Sequence, residues 1–129
     1  MRRIKFKVVN IECKGRRYSS FTRGSYKLEY PENTIVRARE ETLGVAVFKT
    51  RKQAEIFVAK PHSYLSFKLP FKIIHVRPIG RGKNVKFVRD FPSEVGLGEF
   101  YSLKRPAQSC RLVRPPSGTI FYPAVEVLD

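Results

Sequence analysis

Short runs of alternating apolar and charged residues, separated by glycines and prolines, constrain this chain more than any other sequence feature. The clearest run spans residues 3–13, where the apolar positions Ile4, Phe6, Val8, Ile11 and Cys13 alternate with Arg3, Lys5, Lys7, Asn10 and Glu12. A period of two is typical of a strand that buries one face. The phase slips once at Val8-Val9, which predicts a bulge. We therefore predict a half-buried first strand whose outer face is positively charged.

Turn residues divide the rest of the first half into further strands. Residues 25–30 and 34–39 both alternate, and Pro31-Glu32-Asn33 lies between them. Proline presets a turn backbone and asparagine tolerates the left-handed region, so the pair is expected to form a hairpin. A second turn at 40–44 precedes a short apolar strand at 45–48.

One segment changes its period from strand to helix. Thr50 and Gln53 fit a capping box, in which the threonine hydroxyl accepts a hydrogen bond from the backbone three residues later. Ala54, Phe57 and Val58 follow at helical spacing. We predict an amphipathic helix over 51–59 that packs on the sheet and is stopped by Pro61.

The second half reads as strands joined by irregular loops. Residues 71–79 form a β run, and 85–89 are expected to return antiparallel to it across the basic turn 80–84. Prolines and glycines in 90–118 exclude long regular elements, apart from one helical turn at 99–103. A closing strand is expected at 119–128, with Ile120, Tyr122 and Ala124 on one face and Pro123 at a bulge or an edge.

These elements predict a single basic β-rich domain over residues 1–129. The expected fold class is α+β and mostly β, an antiparallel sheet or partly open barrel with one short helix packed on it. No apolar run reaches the roughly 18 residues of a membrane span, and the first residues lack a signal-peptide core. The sequence therefore predicts an intracellular, cytoplasmic protein with no membrane partner.

The charge balance is the main indication of function. The chain has 26 Lys and Arg against 11 Asp and Glu, a net charge of +15. Such an excess is usually tolerated when a polyanion supplies the counter-charge. Nucleic acid is the commonest such partner, an acidic protein surface is the alternative, and solubility alone remains an explanation. The scarcity of Asn, Gln, Cys and Met is in addition a thermophile tendency.

Basic residues gather in three clusters that we predict to bind nucleic acid. They are Lys14, Arg16, Arg17, Tyr18 and Arg23; then Arg77, Arg81, Lys83 and Lys86 around the turn after residue 79; and Lys104, Arg105, Arg111 and Arg114 in a proline-rich loop. Cations interleaved with an aromatic ring are typical of single-stranded nucleic-acid sites. RNA is favoured over duplex DNA because no recognition helix is evident. The sequence does not decide whether the clusters share a face.

Catalysis and metal binding have little support in the sequence. Cys13 and Cys110 make no metal-ligand spacing with His62 or His75, so we predict no metal and no cofactor. Two independent buried cysteines are expected, with a disulfide as the alternative. His75 lies in an apolar strand and is expected to be a structural histidine with a polar partner. The adjacent Glu40 and Glu41 suit solvent, so a non-enzymatic role is favoured.

Two resemblances bear on function. The pattern Tyr30-x3-Thr34-x-Val36-x-Ala38-x3-Thr42-Leu43-Gly44-x2-Val47-Phe48-x-Thr50-x3-Ala54-x2-Phe57 covers about a quarter of the chain and resembles small viral and mobile-element proteins with no assigned activity. That resemblance implies an interaction protein that covers an acidic surface of a host protein. The chain is more distantly similar to ADP-ribosyltransferases. This second resemblance implies that Arg17, Ser19 and Glu126 grip NAD, although Ala124 stands where the family has a second acid or glutamine.

Overall fold

The computed structural model describes residues 3–19, 28–39, 42–59, 70–90 and 111–129. The strands are β1 (Lys5–Ile11), β2 (Arg17–Ser19), β3 (Ile35–Arg37), β4 (Val45–Phe48), β5 (Phe71–Ile79), β6 (Val88–Asp90), β7 (Arg111–Val113), β8 (Thr119–Tyr122) and β9 (Ala124–Val127). The helix α1 spans Arg51–Ala59, and a short 3-10 turn spans Cys13–Gly15. The predicted α+β, mostly β fold class is confirmed.

Seven strands form one antiparallel sheet that curls strongly. The order is β3-β9-β5-β1-β4-β8, with β2 paired to β1 beside β4, and β6 and β7 form a separate two-stranded ribbon. Strands β8 and β9 lie four strand spacings apart in this order, about 19 Å in a flat sheet. Pro123 alone connects them along the chain. The sheet must therefore bend back on itself so that β8 comes next to β9.

Apolar side chains pack on both faces of the curled sheet. The helix-side core joins sheet residues to α1 and consists of Val8, Ala46, Phe48, Ala54, Phe57 and Phe121. The second core consists of Val9, Tyr30, Val36, Val45, Val47, Ile74, Val76, Ile120, Tyr122, Val125 and Val127. Successive side chains of a strand point to opposite faces. Neighbours such as Val8 and Val9 are therefore buried in different cores.

The predicted charged outer face of β1 is wrong. Lys7 is only 4% exposed, because it lies on the same face as Val9, which the second core covers. Asn10 lies on the opposite face with Val8 and is 5% exposed. The expected bulge at Val8-Val9 is absent from the pairing with β5, which runs without a break from Lys5 opposite Val76 to Asn10 opposite Phe71. Two adjacent valines in β1 reflect burial on both faces.

Local signals specify the helix and the strand before it. The Thr50 hydroxyl accepts a hydrogen bond from the Gln53 backbone N–H at 3.2 Å, which confirms Thr50 as the N-cap. Ala54 and Phe57 are buried as the spacing predicts, and the Phe57 ring centre lies 5.3 Å from that of Phe48 in β4. Pro61, the expected stop signal, lies outside the described residues. No helix of the described part of the chain is long and apolar enough to cross a membrane.

Two predicted hairpins are wrong in their pairing. Asn33 has the left-handed φ of 62° that its turn requires, yet β3 pairs with β9 and makes no pair with residues 28–30. Residues 25–27 lie outside the described ranges. Strand β5 pairs with β1 and β9, and β6 pairs with β7. The expected helical turn at 99–103 is also outside the described residues.

The closing strand is interrupted at Pro123, where the sequence predicted a bulge or an edge. Ile120 and Tyr122 belong to the second core, but beyond Pro123 the residues in that core are Val125 and Val127. Ala124 was expected on the face of Ile120 and Tyr122, and that assignment is wrong. The exposed Pro123 shifts the alternation by one residue where the chain passes from β8 to β9.

Candidate functional site

The base of the β6–β7 ribbon brings an aromatic ring and a cation together. Val88 pairs with Val113, so the residues just outside the ribbon, Phe87 and Arg114, face each other. The Arg114 guanidinium carbon lies 5.9 Å from the centre of the Phe87 ring, within cation–π range. Phe87 is nevertheless 47% exposed. A large ring that keeps so much surface in solvent is available to a ligand.

Phe87 and Arg114 line a groove of about 520 Å³. Its other walls are the start of α1, the segment 84–86 and the loop that leads into β8; the lining residues are Lys49, Gln53, Asn84, Val85, Lys86, Phe87, Arg114, Pro115, Pro116, Ser117, Gly118 and Thr119. The loop is held by the Lys49 backbone N–H, which donates to the Gly118 carbonyl at 2.9 Å. The groove is therefore built from three separate stretches of sequence.

Glycine is required where that loop meets the helix. Gly118 has a φ of +86°, and a Cβ there would lie 2.1 Å from the Gln53 Oε1. The Gln53 side chain thus packs directly against the Gly118 backbone. Its Oε1 is buried and has no hydrogen-bond partner among the described residues.

The groove is positively charged. Among the described residues of its lining, three are cations, Lys49, Lys86 and Arg114, and none is acidic. Three carboxylates elsewhere in the described ranges pair with arginines, in Arg16–Glu29, Arg51–Glu55 and Arg77–Glu126, and the Asp129 carboxylate contacts His75. Among the side chains that the structure describes, no carboxylate forms an ion pair with Lys49, Lys86 or Arg114. Like charges around a concave surface concentrate a positive potential that attracts anions.

The first predicted cluster lies partly on the surface and partly in the protein. Lys14 and Arg16 are exposed, and a hydrogen bond with Tyr18 raises the pKa of the Arg16 guanidinium. Arg17 is half-buried, and its Nε donates to the Tyr30 carbonyl at 3.0 Å. Arg23 lies outside the described residues. Arg17 therefore serves as an internal contact between β2 and the segment at Tyr30.

One residue from each of the other two predicted clusters lines the groove. Arg81 and Lys83 are exposed beside it, and the Lys83 backbone makes two hydrogen bonds, 2.8 and 3.0 Å, with Phe121 of β8. Lys86 comes from this cluster and Arg114 from the proline-rich loop, and both line the groove. The remaining members are Arg77, which pairs with Glu126, Arg111 in β7, and Lys104 and Arg105, which lie outside the described residues.

The sequence reasoning missed two residues of the site, Lys49 and Phe87. Lys49 precedes the helix N-cap and carries no local signal for the groove. Phe87 follows Lys86 and precedes Val88-Arg89, the same interleaving of cations with an aromatic residue that marked Tyr18. That signal was present in the sequence and would have identified Phe87.

The structure shows the surroundings of Cys13 and His75, the two residues considered above for metal binding. Cys13 is exposed in the 3-10 turn, so its predicted burial is wrong, and Cys110 lies outside the described residues. The His75 Nδ1 lies 2.8 Å from the Asp129 Oδ2, which gives this histidine the polar partner expected of it. Partial burial opposes ionisation of Asp129, but hydrogen bonds from His75 outweigh it and lower the pKa of the carboxyl. The described residues contain no cluster of His, Cys, Asp or Glu suited to a metal.

The three residues that an ADP-ribosyltransferase would use each contact a different internal partner. Arg17 binds the Tyr30 carbonyl, the Ser19 hydroxyl accepts the Leu28 backbone N–H at 3.0 Å, and Glu126 pairs with Arg77.

Comparison with known proteins finds no matching family model, no matching curated protein and no matching solved structure. The groove and the charge of the chain are therefore the basis for a functional proposal.

Proposed function

We propose that this chain is a non-enzymatic, intracellular nucleic-acid-binding protein that prefers RNA. The observation that carries the proposal is the groove that Lys49, Lys86 and Arg114 line together with an exposed Phe87, with no carboxylate among the described lining residues. The net charge of +15 supplies the long-range attraction to a polyanion.

Binding would rest on the phosphate backbone. The three groove cations contact phosphate oxygens, and the exposed Arg81 and Lys83 on the neighbouring turn extend the positive surface. Phosphate contacts provide affinity and register but carry little sequence information. Each one releases condensed counterions, so affinity falls steeply as salt rises.

RNA suits this surface better than duplex DNA. Proteins that read the DNA major groove commonly insert a helix whose exposed side chains contact base edges. Here α1 packs Ala54 and Phe57 into the helix-side core. The cations of the groove lie instead on turns and loops, which fit the irregular backbone of folded or single-stranded RNA.

The proposal is tested by fluorescence anisotropy with labelled single-stranded RNA, duplex RNA and duplex DNA across a salt series. We expect tightest binding to RNA, with a linear loss of log affinity against log salt. The variant Lys86→Glu should weaken binding and reduce the slope by about 0.7–0.9 for the phosphate contact it removes. Arg37→Glu on β3 makes the same change of charge at an exposed residue outside the groove and is the matched control.

Equal losses in Lys86→Glu and Arg37→Glu would show that net charge alone attracts the nucleic acid and that the groove is not the site. Weak binding to all three nucleic acids at physiological salt would overturn the proposal. An acidic protein partner that is retained after nuclease treatment would then explain the charge, as the resemblance to viral and mobile-element proteins implies.

A further inference from the structure

We infer that the groove receives a single-stranded segment and stacks one base on Phe87; this inference rests on the proposed nucleic-acid function. The ribbon holds the ring in place, because the antiparallel pairing of Val88 with Val113 sets Phe87 opposite Arg114. Arg114 lies over the ring at 5.9 Å and 47% of Phe87 stays exposed. The ring is thus oriented by the protein and remains open to a planar ligand.

The residues around the ring include cations for the phosphate of a nucleotide and polar groups for its base and sugar. Lys49, Lys86 and Arg114 line the same groove as Phe87, so the phosphates next to a stacked base would meet positive charge. Arg114 has a planar guanidinium that stacks as well as pairs with phosphate. Asn84 and Ser117 are exposed residues of the groove lining, and their amide and hydroxyl groups offer polar contacts to a base edge or a sugar.

A single strand fits these features and a duplex does not. In a duplex the bases are stacked on one another and paired, so their faces cannot reach a side chain on the protein surface. In a single strand every base has a free face, and stacking on an aromatic ring is tolerant of sequence. The groove of about 520 Å³ has the size of a small-ligand pocket and accommodates a nucleotide, not the width of a helix.

The test measures the affinity of Phe87 variants for two RNAs by fluorescence anisotropy. One is oligouridine, which has little structure of its own, and the other is a duplex RNA of equal length. Loss of one stacked base costs about 1–3 kcal/mol, so Phe87→Leu should lower affinity for oligouridine by about 5- to 150-fold. The salt slope should not change, because no phosphate contact is removed. Phe87→Tyr should keep the affinity.

Ile35→Ala is the matched control, because it removes an exposed apolar side chain, 55% exposed, on β3 and away from the groove lining. It should leave the affinity for oligouridine unchanged. Circular dichroism spectra of all the variants confirm that each is folded before its affinity is compared.

The outcomes separate this inference from the proposed function. If Phe87→Leu binds oligouridine as tightly as the wild type while Lys86→Glu weakens binding, base stacking is refuted and the phosphate-binding groove stands. Tighter binding of the duplex than of oligouridine would also overturn the inference. If neither RNA binds even at low salt, both proposals fail, and poly-glutamate in the same assay then tests for an acidic protein partner.

Discussion

The buried Lys7 should make the protein more stable in alkaline solution than at neutral pH. Its Nζ donates to the Ala46 carbonyl at 2.7 Å and lies 5.1 Å from the centre of the Tyr30 ring. Burial lowers the pKa of Lys7 from 10.5 to about 7. Between those values the unfolded chain binds a proton at Lys7 that the folded protein does not. Folding is therefore penalised near neutral pH, and the free energy of unfolding rises with pH.

The size of this effect follows from the pKa difference. Each unit of difference corresponds to about 1.4 kcal/mol, so Lys7 should add roughly 3–4 kcal/mol of stability between pH 7 and pH 10. Above pH 10 a second group acts in the opposite direction. Burial raises the pKa of Tyr30 beyond its usual range, so this tyrosine ionises in the unfolded chain first and stability falls again. Stability should pass through a maximum near pH 10.

The assay is urea unfolding followed by far-ultraviolet circular dichroism at pH 7, 8 and 9, on the wild type and on Lys7→Met. Methionine keeps the length of the side chain and removes its charge. We expect the variant to be more stable than the wild type at pH 7 by about 2–3 kcal/mol, after loss of the hydrogen bond to Ala46. The advantage should shrink with each pH unit and disappear by about pH 9.

Comparing the two proteins removes the general gain in stability that a chain of charge +15 shows as its surface lysines lose protons. Parallel stability curves for the wild type and Lys7→Met would refute the reasoning. They would show that Lys7 has the same charge in the folded and the unfolded chain throughout this range.

Two further substitutions test the local geometry around the groove. Thr50→Ala removes the hydroxyl that accepts the Gln53 N–H and should lower the free energy of unfolding by about 1 kcal/mol, whereas Thr50→Ser should retain it; equal urea midpoints for the two would argue against the cap. Gly118→Ala places a methyl group against Gln53 at a φ of +86° and should cost clearly more than about 1 kcal/mol. Gly15→Ala, at φ +73° with no atom within 4 Å, separates backbone strain from the clash, and an equal loss in both variants would show that Gln53 does not resist the methyl group.

Elements with strong local signals were predictable from the sequence. The strand at 45–48, the helix at 51–59 and the strand at 71–79 all have the bounds that their patterns predict. In each, a turn or a cap marks an end, and the apolar residues form a short run in the strands or follow helical spacing in the helix. Such signals lie within a few residues of one another, so they do not depend on how the rest of the chain folds.

Strand partners were not predictable in the same way. Residues 34–39 were expected to pair with 25–30 and residues 85–89 with 71–79, but β3 pairs with β9 and β6 pairs with β7. A strand's partner depends on which face each element buries across the whole sheet, and an alternating pattern is compatible with several partners. The charge on β1 misled for the same reason, because only the assembled second core shows that Lys7 is inside.

In the candidate site too, the sequence predicted the local features and the tertiary structure decided which residues come together. By itself the sequence determined the large positive charge, the basic clusters and the mostly β class, because composition and short-range periodicity carry that information. Only the tertiary structure decided that Lys86 and Arg114, 28 residues apart, meet at one groove with Lys49 and Phe87. Their meeting depends on the pairing of β6 with β7 and on the contact of Gly118 with the start of α1. These contacts join segments far apart in the chain, and no local pattern encodes them.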